Sequence, residues 1–262
     1  SKPHPPLRLH HPVNNSPAAP ALSLIIKELF MLADRMIYWF SRPVVRTYTG
    51  TMLKMNVQKL GEFPVGAKII AANHPSTTDP FFVASMVGHQ SFILINDVLF
   101  QVPILGEYLR RSGHIPVKPG CGKAAIDTAL ERLSEGKTII IFPEGDLSPL
   151  GGGFQQARTG VARLALMSGA PVIPVGIHLN WNRVRIMRSV VRGKEEYGRW
   201  YISGPYNQTV GAPLYYNGDV NDWEYTHKVA DNVMHHIIEL ARISQNRMDQ
   251  LPTPLRSLPN PF

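Results

Sequence analysis

The chain has 262 residues, 44% hydrophobic and 18% charged, enough apolar material for one α/β domain with a buried core and unlike either a disordered chain or a multi-span membrane protein. Its formal net charge of +8 favours anionic partners: lipid head groups, a phosphate-bearing co-substrate or nucleic acid. A single cysteine, Cys121, excludes an internal disulfide and a Cys-based metal cage, and fits a reducing compartment.

The chain opens Ser1-Lys2-Pro3 without Met, as a processed or trimmed chain would, and shows no signal-peptide pattern. Residues 1–20 are rich in Pro, hold His4, His10 and His11, and have no period; a flexible leader is expected. Residues 21–43 are expected to form an amphipathic helix. Lys27, Glu28, Asp34 and Arg35 lie inside this apolar run, and each charge would cost about 2.5 to 3.5 kcal/mol at the centre of a membrane span. At about 100° per residue, Ser23, Lys27 and Asp34 fall within about 40° of one another, opposite a face of Leu, Ile, Phe, Met, Ala and Trp. Such a helix fits the head-group region, with Tyr38, Trp39 and Phe40 as an interfacial aromatic cluster; packing on its own domain is the other reading. Arg42-Pro43 ends it. Residues 44–57 alternate weakly, as a strand leading into a domain over 44–250 would.

From residue 68 the pattern becomes regular. Lys68 to Asn73 reads as a buried strand, and Asp79-Pro80 opens a helix to about Val87, with Pro at a favoured first position. Ser91 to Ile95 is a second strand, followed by a helix from Ile104 to Arg111 and a short strand from His114 to Val117. Lys123 to Ser134 places Ile126, Ala129, Leu130 and Leu133 at helical spacing, and Gly136 stops it. Thr138 to Phe142 is an apolar, β-branched strand, and Gly151 to Gly153 an expected mobile loop. A helix from Arg158 to Met167 precedes a strand from Val172 to Leu179, in which Pro174 implies an edge or a bulge. Trp200 to Ser203 is a further strand, Val220 to Ile243 a long closing helix, and 251–262 a Pro-rich tail. Apolar strands alternating with helices predict an α/β fold, a central mixed sheet flanked by helices.

Active groups collect at strand ends in such sheets. The stretch Asn73-His74-Pro75-Ser76-Thr77-Thr78-Asp79 follows the first regular strand. A neutral imidazole there can take a proton from an alcohol, and a carboxylate on the other ring nitrogen fixes its tautomer. No Gly-x-Ser-x-Gly elbow surrounds Ser76, so direct attack by a substrate hydroxyl fits better than an acyl-enzyme. The alternative is that Asp79 is an N-cap and His74 a loop residue. Phe142-Pro143-Glu144-Gly145 ends a second strand and places Glu144 at the mouth of the sheet, to bind acceptor hydroxyls or anchor a cation, or else as an exposed turn residue. The stretch Trp181 to Arg188 is basic with an aromatic; it reads either as an anion-contacting surface or as a solvated strand pair. His235-His236 is an unlikely metal site because adjacent helical residues do not share a face.

Taken together, these blocks resemble the lysophosphatidic acid acyltransferase-like glycerolipid acyltransferases, over roughly residues 50 to 210. The Asn-His-x4-Asp block is Asn73-His74 to Asp79. The Gly-x-Ile-Pro-Val block is Gly113 to Val117, the Phe-Pro-Glu-Gly block is Phe142 to Gly145, and the Pro-x-x-Pro-Val block is Pro171 to Val175. The resemblance implies His74 as base, Asp79 as its partner, and Glu144 with Gly145 at the acceptor site, beside Ser76. It implies an acyl thioester donor, acyl-CoA or acyl-carrier protein, as co-substrate, with no bound cofactor or metal. It also implies a lipid acceptor and attachment to the cytoplasmic face of a membrane. Two departures bear on the acceptor. The arginine usual after Gly-x-Ile-Pro-Val falls at Pro119, and the arginine of Phe-Pro-Glu-Gly-Thr-Arg-Ser falls at Leu147. Both normally pair with a phosphate, which Lys118, Lys123 or Arg158 would have to replace. The expected activity is acyl transfer to a lysophospholipid, 1-acylglycerol-3-phosphate first. An acceptor without a phosphate monoester is the second reading and a non-catalytic lipid-binding protein the third. No nucleic-acid reader motif is visible.

Overall fold

The computed structural model describes Phe40 and residues 43–191 and 194–250. The expected leader, the Pro-rich tail and almost all of the expected interfacial helix lie outside the described residues. Residues 43–51 are helical (α1), so the chain does not run as a strand from 44. The first strand, β1, is Asn56–Lys59.

The elements from residue 68 to 179 follow the sequence pattern closely, whereas the strand over 206–210 was not anticipated. They are β2 (Lys68–Ala72), α2 (Asp79–Ser85), β3 (Ser91–Asn96), α3 (Leu105–Arg111), β4 (Ile115–Val117), α4 (Gly122–Ser134) and β5 (Thr138–Ile141). After these come α5 (Gly160–Ser168), β6 (Val172–Leu179), β7 (Val184–Val191), β8 (Lys194–Tyr201), β9 (Tyr206–Val210) and α6 (Trp223–Asp249). Helix α5 starts at Gly160, after Arg158, because Arg158 N donates to Pro143 O at 2.8 Å in the preceding loop. Helix α6 is capped by Asp222, whose side chain accepts from Tyr225 N.

Seven strands form one sheet in the order β1-β9-β6-β2-β5-β3-β4. Strands β6, β2, β5, β3 and β4 run parallel, β9 is antiparallel to β6, and β1 is parallel to β9. The sheet is therefore mixed, as expected. Strands β7 and β8 form a separate antiparallel ribbon.

Alternate residues of each central strand face opposite layers. Ile69, Ala71, Ile139, Ile141 and Val172 pack with residues of α4, α5 and α6. Ile70, Ala72, Ile140, Ile173 and Val175 pack with Phe82, Val83 and Leu109, and with Tyr201 and Tyr206. Both faces are covered, which is why these strands read as unbroken apolar runs. Helix α6 lies directly on β6. A Cβ added at Gly176 would fall 1.9 Å from Ala241 N, and Ser244 Oγ donates to Gly176 O at 2.8 Å.

The expectation for Pro174 is corrected. Strand β6 is interior, between β9 and β2, and Pro174 pairs with Ala71. Pro174 O accepts from Gly211 N at 2.9 Å. The N–H and C=O of a strand residue point to the same neighbour, so the missing donor faces the β9 side. There the antiparallel ladder ends at Val175 and Val210, and the bond that Pro174 cannot make is the reciprocal one to Gly211 O, just past that end.

Candidate active site

The site forms where β2 and β5, which are adjacent and parallel, end. After Ala72 the backbone leaves β2, but the Asn73 side chain extends the pairing to β6. Asn73 Nδ2 donates to Ile177 O at 3.0 Å, and Ile177 N donates to Asn73 Oδ1 at 2.7 Å. The amide thus replaces one backbone unit of the ladder and frees the next residue, His74, to turn over the sheet end.

Five residues later α2 begins with Asp79, followed by Pro80. The intervening turn brings His74 Nδ1 to 3.1 Å from Asp79 Oδ2. Asp79 is wholly buried, and an unpaired carboxylate there would be costly. It is instead met by four donors. Ser76 N reaches Oδ2 at 2.6 Å, beside His74; Ser76 Oγ at 2.6 Å and Tyr206 Oη at 2.8 Å reach Oδ1. Burial and the neighbouring Asp79 carboxylate push the Tyr206 phenol well above its ordinary pKa, so it stays a neutral donor. Asp79 Oδ2 holds the ring proton on Nδ1 and leaves the Nε2 lone pair free, with no hydrogen-bond partner among the described residues. The imidazole stacks on Phe142, ring centroids 4.2 Å apart, and its side chain is 17% exposed. One edge is held and the other is open to a substrate.

The Phe-Pro-Glu-Gly turn braces this arrangement from β5. Glu144 Oε1 accepts from His74 N at 3.0 Å and Ser148 Oγ at 2.6 Å, and Oε2 accepts from Gln155 N at 2.8 Å. Ser148 N donates to His74 O at 2.8 Å. Glu144 is 1% exposed, so its expected place at the open mouth of the sheet is corrected. Its carboxylate is turned inward because the backbone N–H groups of two loops need an acceptor there. The expected contact of Ser76 with substrate is corrected likewise, since Ser76 is buried and donates to Asp79 from both Oγ and N.

Gly145 is exposed at φ 67°, a conformation that favours Gly. A Cβ there would meet the Arg158 side chain at 2.5 Å, so Arg158 lies across this glycine. Lys118, by contrast, follows the edge strand β4, three strand spacings from β2 or about 14 Å across the sheet. The structure joins Arg158 to the site and leaves Lys118 apart. Sequence reasoning passed over Tyr206, Ser148, Gln155 and Arg199. Tyr206 lies 127 positions from its partner Asp79, and nothing local marks it. The basic, aromatic stretch after Trp181 was a partial signal for the ribbon that carries Arg199.

Residues 54–178 match the family model described as Acyltransferase. Over this stretch the chain is similar to acyltransferases. The chain is 28% identical over 163 residues to the 1-acyl-sn-glycerol-3-phosphate acyltransferase of Pseudomonas aeruginosa, 60% of each chain. It is 26% identical over 114 residues to the enzyme of that name from Helicobacter pylori, 42% of this chain and 48% of the relative. An uncharacterized protein of Mycobacterium leprae, ML2427, is 27% identical over 153 residues, 52% of this chain and 39% of that protein. The chain thus spans three fifths or less of the length of these relatives. The crystal structure of the 1-acyl-sn-glycerophosphate (LPA) acyltransferase PlsC from Thermotoga maritima superposes with a TM-score of 0.54 at 19% identity. That match covers 87% of this chain and 99% of PlsC, and it supports the α/β fold.

Proposed function

We propose that this protein moves a fatty acyl group from an acyl thioester, acyl-CoA or acyl-carrier protein, to the hydroxyl of a lysophospholipid. The favoured acceptor is 1-acylglycerol-3-phosphate, giving phosphatidic acid. The observation that carries this reading is the 3.1 Å contact of His74 Nδ1 with a buried, four-fold hydrogen-bonded Asp79, leaving Nε2 open. Nε2 takes the proton of the acceptor hydroxyl as its oxygen attacks the thioester carbonyl. Asp79 steadies the imidazolium that forms. The tetrahedral intermediate then collapses, the C–S bond breaks, and the imidazolium returns its proton to the departing sulfur. One ester and one thiol result, and the enzyme is regenerated without a covalent intermediate. Glu144 and Ser148 act through His74 by fixing its backbone, and Gly145 and Arg158 form the acceptor side of the opening.

The test is thioester consumption with labelled acceptor. His74→Ala is expected to lower kcat by a factor on the order of 10² to 10⁴, and near-normal turnover would sink the assignment. The second reading, an acceptor without a phosphate monoester, draws on Pro119 and Leu147 at the positions of the family's usual arginines. An acceptor panel separates the two.

Action at a membrane surface is part of the proposal. Among the described residues no helix is long and apolar enough to cross a membrane. Ile104, Leu150 and Ile186 are 89%, 61% and 58% exposed. Ile104 and Leu150 follow β3 and β5, whose ends border the site, and Ile186 lies in β7 opposite Arg199. Together with the net charge of +8, these residues suit insertion of an apolar rim among anionic head groups.

A further inference from the structure

The turn after β5 lacks an arginine at Leu147, yet two guanidinium groups from elsewhere flank it. Arg158 lies over Gly145, with Cδ and Nε each 2.5 Å from where a Cβ would stand. Arg199 reaches the other end of the turn from β8, where its Nη1 donates to Ser148 O. Strand β8 is fastened to the His74–Asp79 turn beneath it. Thr77 N donates to Arg199 O at 2.7 Å, Arg199 N donates to Thr77 Oγ1 at 3.0 Å, and Thr78 Oγ1 donates to Tyr201 O at 3.3 Å. Ser148 is itself bonded to the backbone of His74 on both sides. The Arg199 head group is therefore fixed one residue from the proposed base.

No carboxylate pairs with Arg158 or Arg199 among the described residues, and the Ser148 contact occupies one of the five N–H donors of Arg199. Arginine forks set on backbone in this way match the oxygens of a phosphate, and an anion between two cations removes their repulsion.

We propose that Arg199 is a specificity-determining residue of the acceptor site. With Arg158 it binds the phosphate monoester of the acceptor, doing from the β7–β8 ribbon what an arginine at Leu147 would do from the turn. This rests on the acyl-transfer reading and narrows it to a phosphate-bearing acceptor.

The experiment compares the wild-type chain with Arg199→Gln, Arg199→Lys and the double variant Arg199→Gln/Leu147→Arg. Two acceptors are used, 1-acylglycerol-3-phosphate and 1-monoacylglycerol, with acyl-CoA as donor. Acceptor KM and kcat are measured, together with equilibrium binding of each lipid without donor. Arg199→Gln is expected to lower the preference for the phosphate-bearing acceptor by about 10- to 100-fold, through KM and binding, because one charge-assisted contact is lost. The KM of acyl-CoA should not follow. Arg199→Lys should recover only part, as a point charge without the fork, and Leu147→Arg should restore binding in the double variant. A fall in kcat equal for both acceptors would mean that Arg199 only supports the Ser148 turn, and would overturn the proposal. So would an unchanged preference. If wild type binds the phosphate-bearing lipid through Arg199 but transfers no acyl group to either acceptor, the proposed activity fails and the anion site stands. If it transfers acyl groups while Arg199→Gln leaves the preference intact, the reverse holds.

Discussion

Replacing Asp79 by Asn tests the proton-transfer pair without dismantling it. Each oxygen of Asp79 accepts two hydrogen bonds. Oδ2 faces two N–H groups, Ser76 N and His74 Nδ1, and Oδ1 faces two hydroxyls, Ser76 Oγ and Tyr206 Oη. An amide fits this set in one orientation. Its oxygen must face the N–H groups, and its NH2 must face the hydroxyls, which can turn to accept. The ring proton stays on Nδ1 and the fold survives, while the negative charge disappears. At 3.1 Å and an effective dielectric of about 20, a carboxylate and an imidazolium attract by about 5 kcal/mol. The imidazole is partly exposed, and screening reduces this to about 3 to 5 kcal/mol in the transition state. Asp79→Asn should therefore lower kcat by a factor on the order of 10² to 10⁴, with little change in acceptor KM. The assay is thioester consumption at saturating donor, with circular dichroism and thermal unfolding to confirm the fold. A folded Asp79→Asn protein within about threefold of wild-type kcat would refute the role given to the carboxylate charge.

A second prediction concerns pH and stability. Burial pushes His114 down from 6.5 to about 4, and its Nδ1 accepts from Ile93 N at 3.2 Å. The unfolded imidazole binds a proton below about 6.5, and the folded one not until about 4. Stability contributed by neutral His114 is thus complete above pH 6.5, falls as pH drops, and is lost below about 4, a change of about 3 kcal/mol. His114→Asn keeps an acceptor for Ile93 N and removes the titration. Denaturant unfolding between pH 4 and 7.5 should show a shallower pH dependence in the variant, and parallel curves would refute the assignment. A third prediction addresses the rim. Ile104 is 89% exposed at φ 66°, a strained conformation for a β-branched residue. Ile104→Asp should weaken sedimentation with anionic vesicles by about tenfold, from the loss of one buried apolar side chain. Unchanged vesicle binding would remove Ile104 from the membrane surface.

Much of this fold is legible in the residues. Thr138-Ile-Ile-Ile and Lys68-Ile-Ile-Ala-Ala are too apolar to lie anywhere but between two layers of helix, and both are interior strands. Val172–Leu179 was readable for the same reason, although Pro174 argued wrongly for an edge. The strand Tyr206–Val210 carries Asn, Gln and Thr that are fully or nearly buried. It was missed because polar residues signal burial only once their partners are known. Asn207 Nδ2 donates to Ser244 O at 3.0 Å, and Thr209 Oγ1 meets Ser244 Oγ at 2.7 Å, both on the distant helix α6.

The site divides along the same line. The spacing from His74 to Asp79 is a local matter: one turn and the first residue of a helix suffice to join them, so the sequence by itself determined the pair. Glu144 and Ser76 were assigned to the right place with the wrong direction, because a chain pattern locates a carboxylate or a hydroxyl without saying which way it points. Tertiary structure alone decided that Glu144 faces inward to two loops, that Tyr206 completes the shell of Asp79, and that Arg199 stands beside a turn lacking its own arginine. These depend on strands far apart in the chain meeting at one sheet end, and hydrogen bonds across such separations leave no periodicity to read.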